Sequence, residues 1–92
     1  MALLLKEFSA KKKEALVFEF LPGKLHALEF EPIIEKLNQK QIILLVQTGG
    51  LIIARISEKK VHLFRSGKII VKGTKTLAEA KKILEKFLEI IN

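Results

Sequence analysis

The stretch from Val61 to Lys75, VHLFRSGKIIVKGTK, constrains the fold most strongly because it reads as a β-hairpin that leads into a helix. Its two β-rich runs flank Ser66-Gly67, and glycine readily adopts the positive φ that a tight hairpin requires. From Lys59 to Lys75 the chain carries six basic residues and no acidic residue. A half-buried strand pair with this excess of positive charge indicates a polyanion partner.

The overall composition is that of one folded domain covering residues 1–92, because 49% of the residues are hydrophobic. The chain has no cysteine, which excludes disulfides and thiolate metal sites and fits a reducing compartment. All ten acidic residues are glutamate, and the wealth of Lys, Glu and Ile is the bias of hyperthermophilic proteins. The composition therefore favours a thermophilic source.

The net charge of +7 is distributed unevenly: residues 1–30 carry +1, residues 31–60 carry +2 and residues 61–92 carry +4. The positive end coincides with the hairpin and the last helix, which favours binding to nucleic acid or to an acidic surface. No segment reaches the ~18 apolar residues of a membrane span, and the run from Leu3 to Leu5 is too short for a signal peptide. We therefore expect a cytoplasmic protein without a membrane partner.

Apolar periodicity predicts the element order β-α-β-β-β-β-α. The predicted strands span 15–20, 41–47, 51–56, 61–65 and 68–72. The first helix is predicted within 24–40, most clearly from Glu31, with Leu25, Leu28 and Phe30 either in the helix or in its approach, and the second helix follows Thr76. Leu16, Phe18 and Phe20 fall on one face of the first strand. Thr76 and Glu79 have the spacing of a capping box. Residues 11–13, three lysines, read as a solvated turn, and residues 1–14 as either an N-terminal arm or an extra strand.

Two helices with apolar stripes must cover one face of an antiparallel sheet, which leaves the other face open. Alternation sorts the hairpin side chains into two sets. The aliphatic set, expected under the helices, is Val61, Leu63, Ile69 and Val71. The mixed set, expected on the open face, is His62, Phe64, Ile70 and Lys72. An apolar surface rimmed by positive charge is how minor-groove binders are built.

The run SGKIIVKGTKT at 66–76, followed by a lysine-rich amphipathic helix, resembles the end of one repeat of the TATA-box-binding protein family. RISEKK at 55–60 resembles that family's R-x-x-E-P-K turn, and GLI at 50–52 resembles its G-L-V strand start. The resemblance lies in the residues of 50–92 and only in the topology of 1–49. It implies an α+β fold with a curved five-stranded antiparallel sheet and two helices on its convex face. The family's protein has two such repeats, which form a saddle, and this chain has the length of one.

The resemblance also implies roles for individual residues. Phe64 takes the place of a phenylalanine that wedges into the minor groove, and Ile70 that of a groove-contacting valine. Arg55 and Lys60 take the places of phosphate-facing basic residues. The chain departs from the family pattern in four ways: Lys72 replaces a groove-contacting threonine, Gly49 falls where a second wedging phenylalanine would stand, the first strand lacks an asparagine that reads base edges, and the segment from Lys60 to Phe64 is two residues shorter. The resemblance therefore implies the fold but not the TATA-type readout.

These observations predict a nucleic-acid-binding domain that contacts duplex DNA through its open sheet face and acts as a homodimer. The predicted contact residues are Arg55, Lys60, His62, Phe64, Arg65, Lys68, Ile70, Lys72 and Lys75. Two alternatives stay open. The basic residues could be a solvated hairpin edge that prevents aggregation, or the apolar face could be covered by a protein partner in an assembly module.

An enzyme is not expected, because the chain has neither Asp nor Cys. His26 and His62 are isolated in the sequence, and no spacing matches a catalytic triad, a metal site or a phosphate loop. The sequence therefore predicts no catalytic residue, no metal site and no cofactor.

Overall fold

Six antiparallel strands form one open sheet in the computed structural model, which describes residues 3–92. The elements in chain order are a 3-10 helix at Leu5–Glu7, β1 at Phe8–Glu14, β2 at Val17–Pro22, α1 at Phe30–Gln39, β3 at Leu44–Gln47, β4 at Leu51–Ile56, β5 at Lys59–Phe64, β6 at Ile69–Lys72 and α2 at Leu77–Ile91. The strand order across the sheet is β1-β2-β6-β5-β4-β3. The α+β class is confirmed, whereas the predicted count of five strands is wrong.

The additional strand is β1, which lies at one edge of the sheet. It pairs with β2 so that Phe8 is opposite Pro22 and Lys12 is opposite Phe18. The lysines at 11–13 therefore lie in an edge strand, and the prediction of a solvated turn is wrong. Every side chain from Ser9 to Glu14 is exposed, so backbone pairing rather than burial holds this strand. Of the two alternatives predicted for residues 1–14, the structure has the extra strand at Phe8–Glu14, and residues 1–2 lie outside the described residues.

Both helices cover the same face of the sheet and enclose one hydrophobic core. Apolar residues at helical spacing in α2 face the sheet because burial of apolar surface favours that orientation. The fully buried core residues include Phe20, Leu37, Ile52, Leu63, Leu84 and Phe87. Within residues 3–92, neither helix is long and apolar enough to cross a membrane.

The hairpin between β5 and β6 sorts its side chains as the sequence predicts. The predicted core set is fully buried: Val61, Leu63, Ile69 and Val71. The predicted open set is partly or fully exposed: His62, Phe64, Ile70 and Lys72. In the turn, the Phe64 N–H donates to the Lys68 carbonyl at 2.9 Å, and Gly67 has a φ of 95°. The positive φ predicted for Gly67 is confirmed.

Several predicted boundaries shift. Helix α1 begins at Phe30, so residues 24–29 are not helical. Leu16 lies in the turn between β1 and β2 with a φ of 65° and is exposed, so it does not share a strand face with Phe18 and Phe20. Half of the predicted capping box of α2 is present, because the Glu79 N–H donates to the Thr76 hydroxyl at 3.2 Å, while the Glu79 carboxylate lies 3.7 Å from Lys59 Nζ.

Candidate nucleic-acid interface

The sheet face opposite the helices carries three cations in one line across three neighbouring strands. Arg55 of β4 lies opposite Lys60 of β5, and Lys60 lies opposite Lys72 of β6. All three side chains are exposed, and within residues 3–92 none of them forms an ion pair. Like charges directly opposite each other destabilise a sheet. This line, the cation row, is therefore a concentration of uncompensated positive charge.

A strip of mainly apolar side chains runs beside the cation row. Ile53 lies opposite His62, His62 lies opposite Ile70, and Leu51 lies opposite Phe64. These five residues, the apolar band, are all partly exposed. On the far side of the band, Lys68 Nζ lies 4.4 Å from the centroid of the Phe64 ring, a cation–π distance. Positive charge therefore flanks the apolar band on both sides.

His62 occupies the middle of the apolar band. Burial lowers the pKa of its imidazole below 6.5, and the charges of Lys72 and Lys60 lower it further. Its Nε2 atom is buried without a hydrogen-bond partner among the described residues. The imidazole is therefore neutral at neutral pH, which keeps the centre of the band uncharged between its flanking cations.

Glu19 of β2 is an acidic residue on this face, and it is not among the predicted contact residues. It lies opposite Ile70, is 8% exposed, and its Oε2 is 3.9 Å from Lys13 Nζ. In the sequence, Glu19 stands between Phe18 and Phe20, whose side chains face the helices, and strand alternation therefore places Glu19 on the open face. The same alternation on β4 could have found Ile53. Because Glu19 reduces the positive charge near β1 and β2, the candidate site lies on β4, β5 and β6.

The structure brings most of the predicted contact residues together on this part of the sheet. They are Arg55, Lys60, His62, Phe64, Lys68, Ile70 and Lys72. Arg65 is exposed in the hairpin turn at the rim of this face. Its backbone N–H donates to the Gly50 carbonyl at 3.3 Å. Lys75 lies between β6 and α2, outside the sheet. Within residues 3–92, no group of three or more His, Asp or Glu residues is placed to hold a metal ion.

These features define the class of the chain: an α+β domain with two helices behind an antiparallel sheet and one sheet face left open. Comparison with protein families matches residues 26–92, about three quarters of the chain, to the family described as transcription factor TFIID (or TATA-binding protein, TBP). The chain belongs to this family, and the resemblance seen in its sequence is confirmed. Membership indicates DNA binding in general.

The matched region begins after β1 and β2, so these two strands lie outside it. No curated protein and no solved structure matches the chain significantly.

Proposed function

We propose that the open face of β4, β5 and β6 binds duplex DNA, with the cation row on the phosphates and the apolar band over the groove. The main support for this proposal is the cation row itself. Arg55 lies opposite Lys60 and Lys60 lies opposite Lys72, and none of the three forms an ion pair in the described part of the chain. A polyanion would neutralise the repulsion that this arrangement creates. Family membership supports DNA as that polyanion.

The dimensions of the face are compatible with this proposal. Neighbouring strands lie about 4.8 Å apart, so the backbone positions of the cation row span roughly 10 Å. That length exceeds the ~6 Å width of the minor groove of B-DNA. Long side chains on such a row can reach phosphates while the adjacent apolar band lies over the groove itself.

Phe64 and Ile70 are the side chains proposed to contact the groove. Both are partly exposed apolar residues on the open face, and apolar side chains of this kind can unstack base steps and bend the duplex. Gly49, in the turn between β3 and β4, offers no second wedge. We therefore propose a preference for easily deformed, AT-rich duplex rather than direct reading of base edges.

A protein partner on the same face is the second candidate, because the apolar band could pack against another chain. The two functions differ in their salt dependence. Phosphate contacts lose affinity as salt rises, with a log–log slope of about −0.9 for each phosphate neutralised. Burial of an apolar surface depends little on salt.

The deciding experiment is a fluorescence-anisotropy titration of labelled AT-rich and GC-rich duplexes at about 50 and 200 mM salt. The test variant is Arg55→Ala with Lys60→Ala. The matched control is Lys40→Ala with Lys82→Ala, which removes the same charge from two exposed lysines outside the sheet.

We expect salt-sensitive binding that is stronger to the AT-rich duplex. The test variant should reduce the magnitude of the salt slope by about 1.8, because two phosphate contacts are lost. The control variant should keep most of the wild-type slope. Equal slopes for the two variants would show that the cation row does not touch phosphate. No binding at the lower salt concentration would exclude the nucleic-acid function and favour a protein partner.

A further inference from the structure

The layer of helices does not extend over the edge strand β1. Ala10 lies opposite Phe20 in the pairing of β1 with β2, and residues directly opposite each other share one face of a sheet. Phe20 is 1% exposed under the helices, whereas Ala10 is exposed. The helix side of β1 is therefore open, and a groove remains between β1, α2 and the 3-10 helix.

This groove, the edge cavity, has a volume of about 720 Å³ and a mainly apolar lining. Its apolar lining residues are Leu4, Leu5, Phe8, Ala10 and Phe20. Leu4 is 44% exposed and Phe8 is partly exposed, so the fold leaves apolar surface of the cavity in contact with water. The volume lies within the roughly 300–1,000 Å³ of small-molecule sites.

The two polar side chains of the lining are those of Lys6, from the 3-10 helix, and Lys81, from α2. Both are exposed, and within residues 3–92 neither forms an ion pair. Among the described residues no carboxylate lines the edge cavity, so the charge at its margin is positive. Lys12 stands on the same side of β1, opposite Phe18, and adds to this charge.

We propose that the edge cavity binds a free carboxylate with a linear hydrocarbon tail, of the class of medium-chain fatty acids. The tail would lie against Leu4, Leu5 and Phe8, because burial of apolar surface favours that position. Lys6 and Lys81 would donate charge-assisted hydrogen bonds to the carboxylate. A peptide is a poorer occupant, because its backbone N–H and C=O groups would meet apolar side chains that offer no hydrogen-bond partner. A hydrocarbon tail has no such groups.

The edge cavity is separate from the proposed DNA site in position and in origin. It lies on the helix side of the sheet, whereas Arg55, Lys60 and Lys72 lie on the open face. Six of its seven lining residues precede residue 26, where the match to the family begins. Binding there therefore requires neither DNA nor a residue of the cation row.

The test is an amide NMR titration of the full isotope-labelled chain, without DNA, using octanoate, 1-octanol and acetate as probes. Octanoate has a tail and a charge, octanol has the tail alone, and acetate has the charge alone. We expect saturable shifts at Leu5, Phe8 and Ala10 with octanoate. Octanol should bind about fivefold more weakly because it lacks the charge, and acetate should not saturate because it lacks the tail.

The charge variant is Lys6→Gln with Lys81→Gln. It should weaken octanoate binding about fivefold and leave octanol binding unchanged, because the apolar lining is intact. The matched control is Lys11→Gln with Lys82→Gln, which removes the same charge from two exposed lysines outside the lining. Equal weakening by the two variants would show only a general attraction of anions to a positive chain, and would overturn the inference.

The apolar part is tested with Ala10→Phe, which should fill the cavity and weaken octanoate and octanol alike by about tenfold. Ser9→Phe is the matched control, because it places the same ring at the next position of β1, on the other face of the sheet. Circular dichroism verifies that each variant is folded, and Ala10→Leu is the second variant if Ala10→Phe is not. Equal binding by Ala10→Phe and Ser9→Phe would overturn the inference.

Two further outcomes would also contradict the proposal. One is the absence of saturable shifts with octanoate at concentrations up to about 10 mM. The other concerns vesicles of phosphatidylcholine with phosphatidylglycerol. If these vesicles shift or broaden the amides of Leu5, Phe8 and Ala10 while free octanoate does not, this surface contacts a membrane and does not hold a free carboxylate.

Discussion

Lys60 and Lys72 lie directly opposite each other on β5 and β6, and Arg55 lies opposite Lys60 on its other side. Facing like charges on neighbouring strands destabilise a sheet by roughly 0.2–1 kcal/mol for each pair. These side chains are exposed, so solvent screening places the cost at the lower end of that range. The same arrangement that weakens the fold is the one that would attract phosphate groups.

Replacement of the middle cation should therefore separate stability from binding. Lys60→Met keeps most of the aliphatic stem but removes the charge from between Arg55 and Lys72. We expect the free energy of unfolding to rise by a few tenths of a kcal/mol, and the magnitude of the DNA salt slope to fall by about 0.9. Urea denaturation and anisotropy titration measure the two effects. Lys82→Met on α2 is the control, and a loss of stability in Lys60→Met alone would contradict the account of mutual repulsion.

The sequence predicted the hairpin best because one face of β5 and β6 is buried and the side-chain period of a strand is two. Under those conditions, the burial of Val61 and Leu63 and the exposure of His62 and Phe64 follow from alternation alone. Helix α2 was predictable for the same kind of reason, since its apolar residues repeat at helical spacing.

The sequence left residues 1–14 as either an arm or an extra strand, and it could not decide for strand β1 because the side chains of β1 carry no periodic signal. Its residues from Ser9 to Glu14 are all exposed, and long-range backbone pairing with β2 makes it a strand. The sequence also left open whether residues 24–29 belong to α1 or to its approach, and tertiary contacts decide this as well. The N–H groups of His26 and Leu28 donate to the carbonyls of Ser66 and Arg65 at 3.0 and 2.9 Å, which holds this segment against the hairpin instead of in a helix.

The candidate site was only partly visible in the sequence. Local alternation in the hairpin assigned His62, Phe64, Ile70 and Lys72 to the open face, whereas Arg55 and Lys60 were implied by the resemblance to the family. Alternation could also have placed Glu19 and Ile53 on this face, but only the pairing of β2 with β6 and of β4 with β5 determines which residues lie beside them. Strand register between distant segments depends on tertiary packing, so a local pattern cannot show which residues become neighbours.

Phe64 and Phe87 should respond differently to truncation. Phe87 is fully buried in the core, so Phe87→Ala should cost about 3–5 kcal/mol of stability. Phe64 is partly exposed on the open face, so Phe64→Ala should cost about 1–2 kcal/mol and leave the domain folded. We expect Phe64→Ala to weaken binding to AT-rich duplex about tenfold, or about 1.4 kcal/mol, without changing the salt slope, because no charge is removed. Unfolding of Phe64→Ala would instead place this ring in the core.

His62 should make the stability of the fold depend on pH. Its pKa is lowered below 6.5 in the folded chain, first by burial and then by Lys72 and Lys60. The unfolded chain therefore binds more protons than the folded chain below about pH 7, so stability falls as the pH decreases through 6.5. Above that range the imidazole is neutral in both states and contributes no pH dependence.

Urea denaturation at about pH 7.5, 6.5 and 5.5 tests this expectation against His62→Gln. The difference between the two proteins isolates His62, since His26 and all glutamates are present in both. We expect the wild type to lose more stability on acidification than His62→Gln. Parallel pH profiles would show that the imidazole of His62 is not desolvated in the folded state.

Gly67 is a position in the hairpin turn where any side chain is expected to destabilise the fold. Its φ is 95°, a left-handed conformation that costs other residues roughly 1–2 kcal/mol. A Cβ at this position would lie 2.9 Å from His26 Cδ2 and 3.3 Å from Pro22 Cγ, so the neighbouring segment would have to move. Backbone strain and contact distance therefore act in the same direction.

We expect Gly67→Ala to lower the free energy of unfolding by about 2 kcal/mol or more, since strain and crowding add at one site. Gly50→Ala is the matched control, because a Cβ at that position would have no neighbouring atom within 4 Å and its φ is not positive. That control should change stability by less than about 0.5 kcal/mol. Urea denaturation of both variants makes the comparison. Equal stabilities would mean that the turn at 65–67 can adopt a second backbone conformation, and the positions of Phe64 and Lys68 on the open face would then not depend on Gly67.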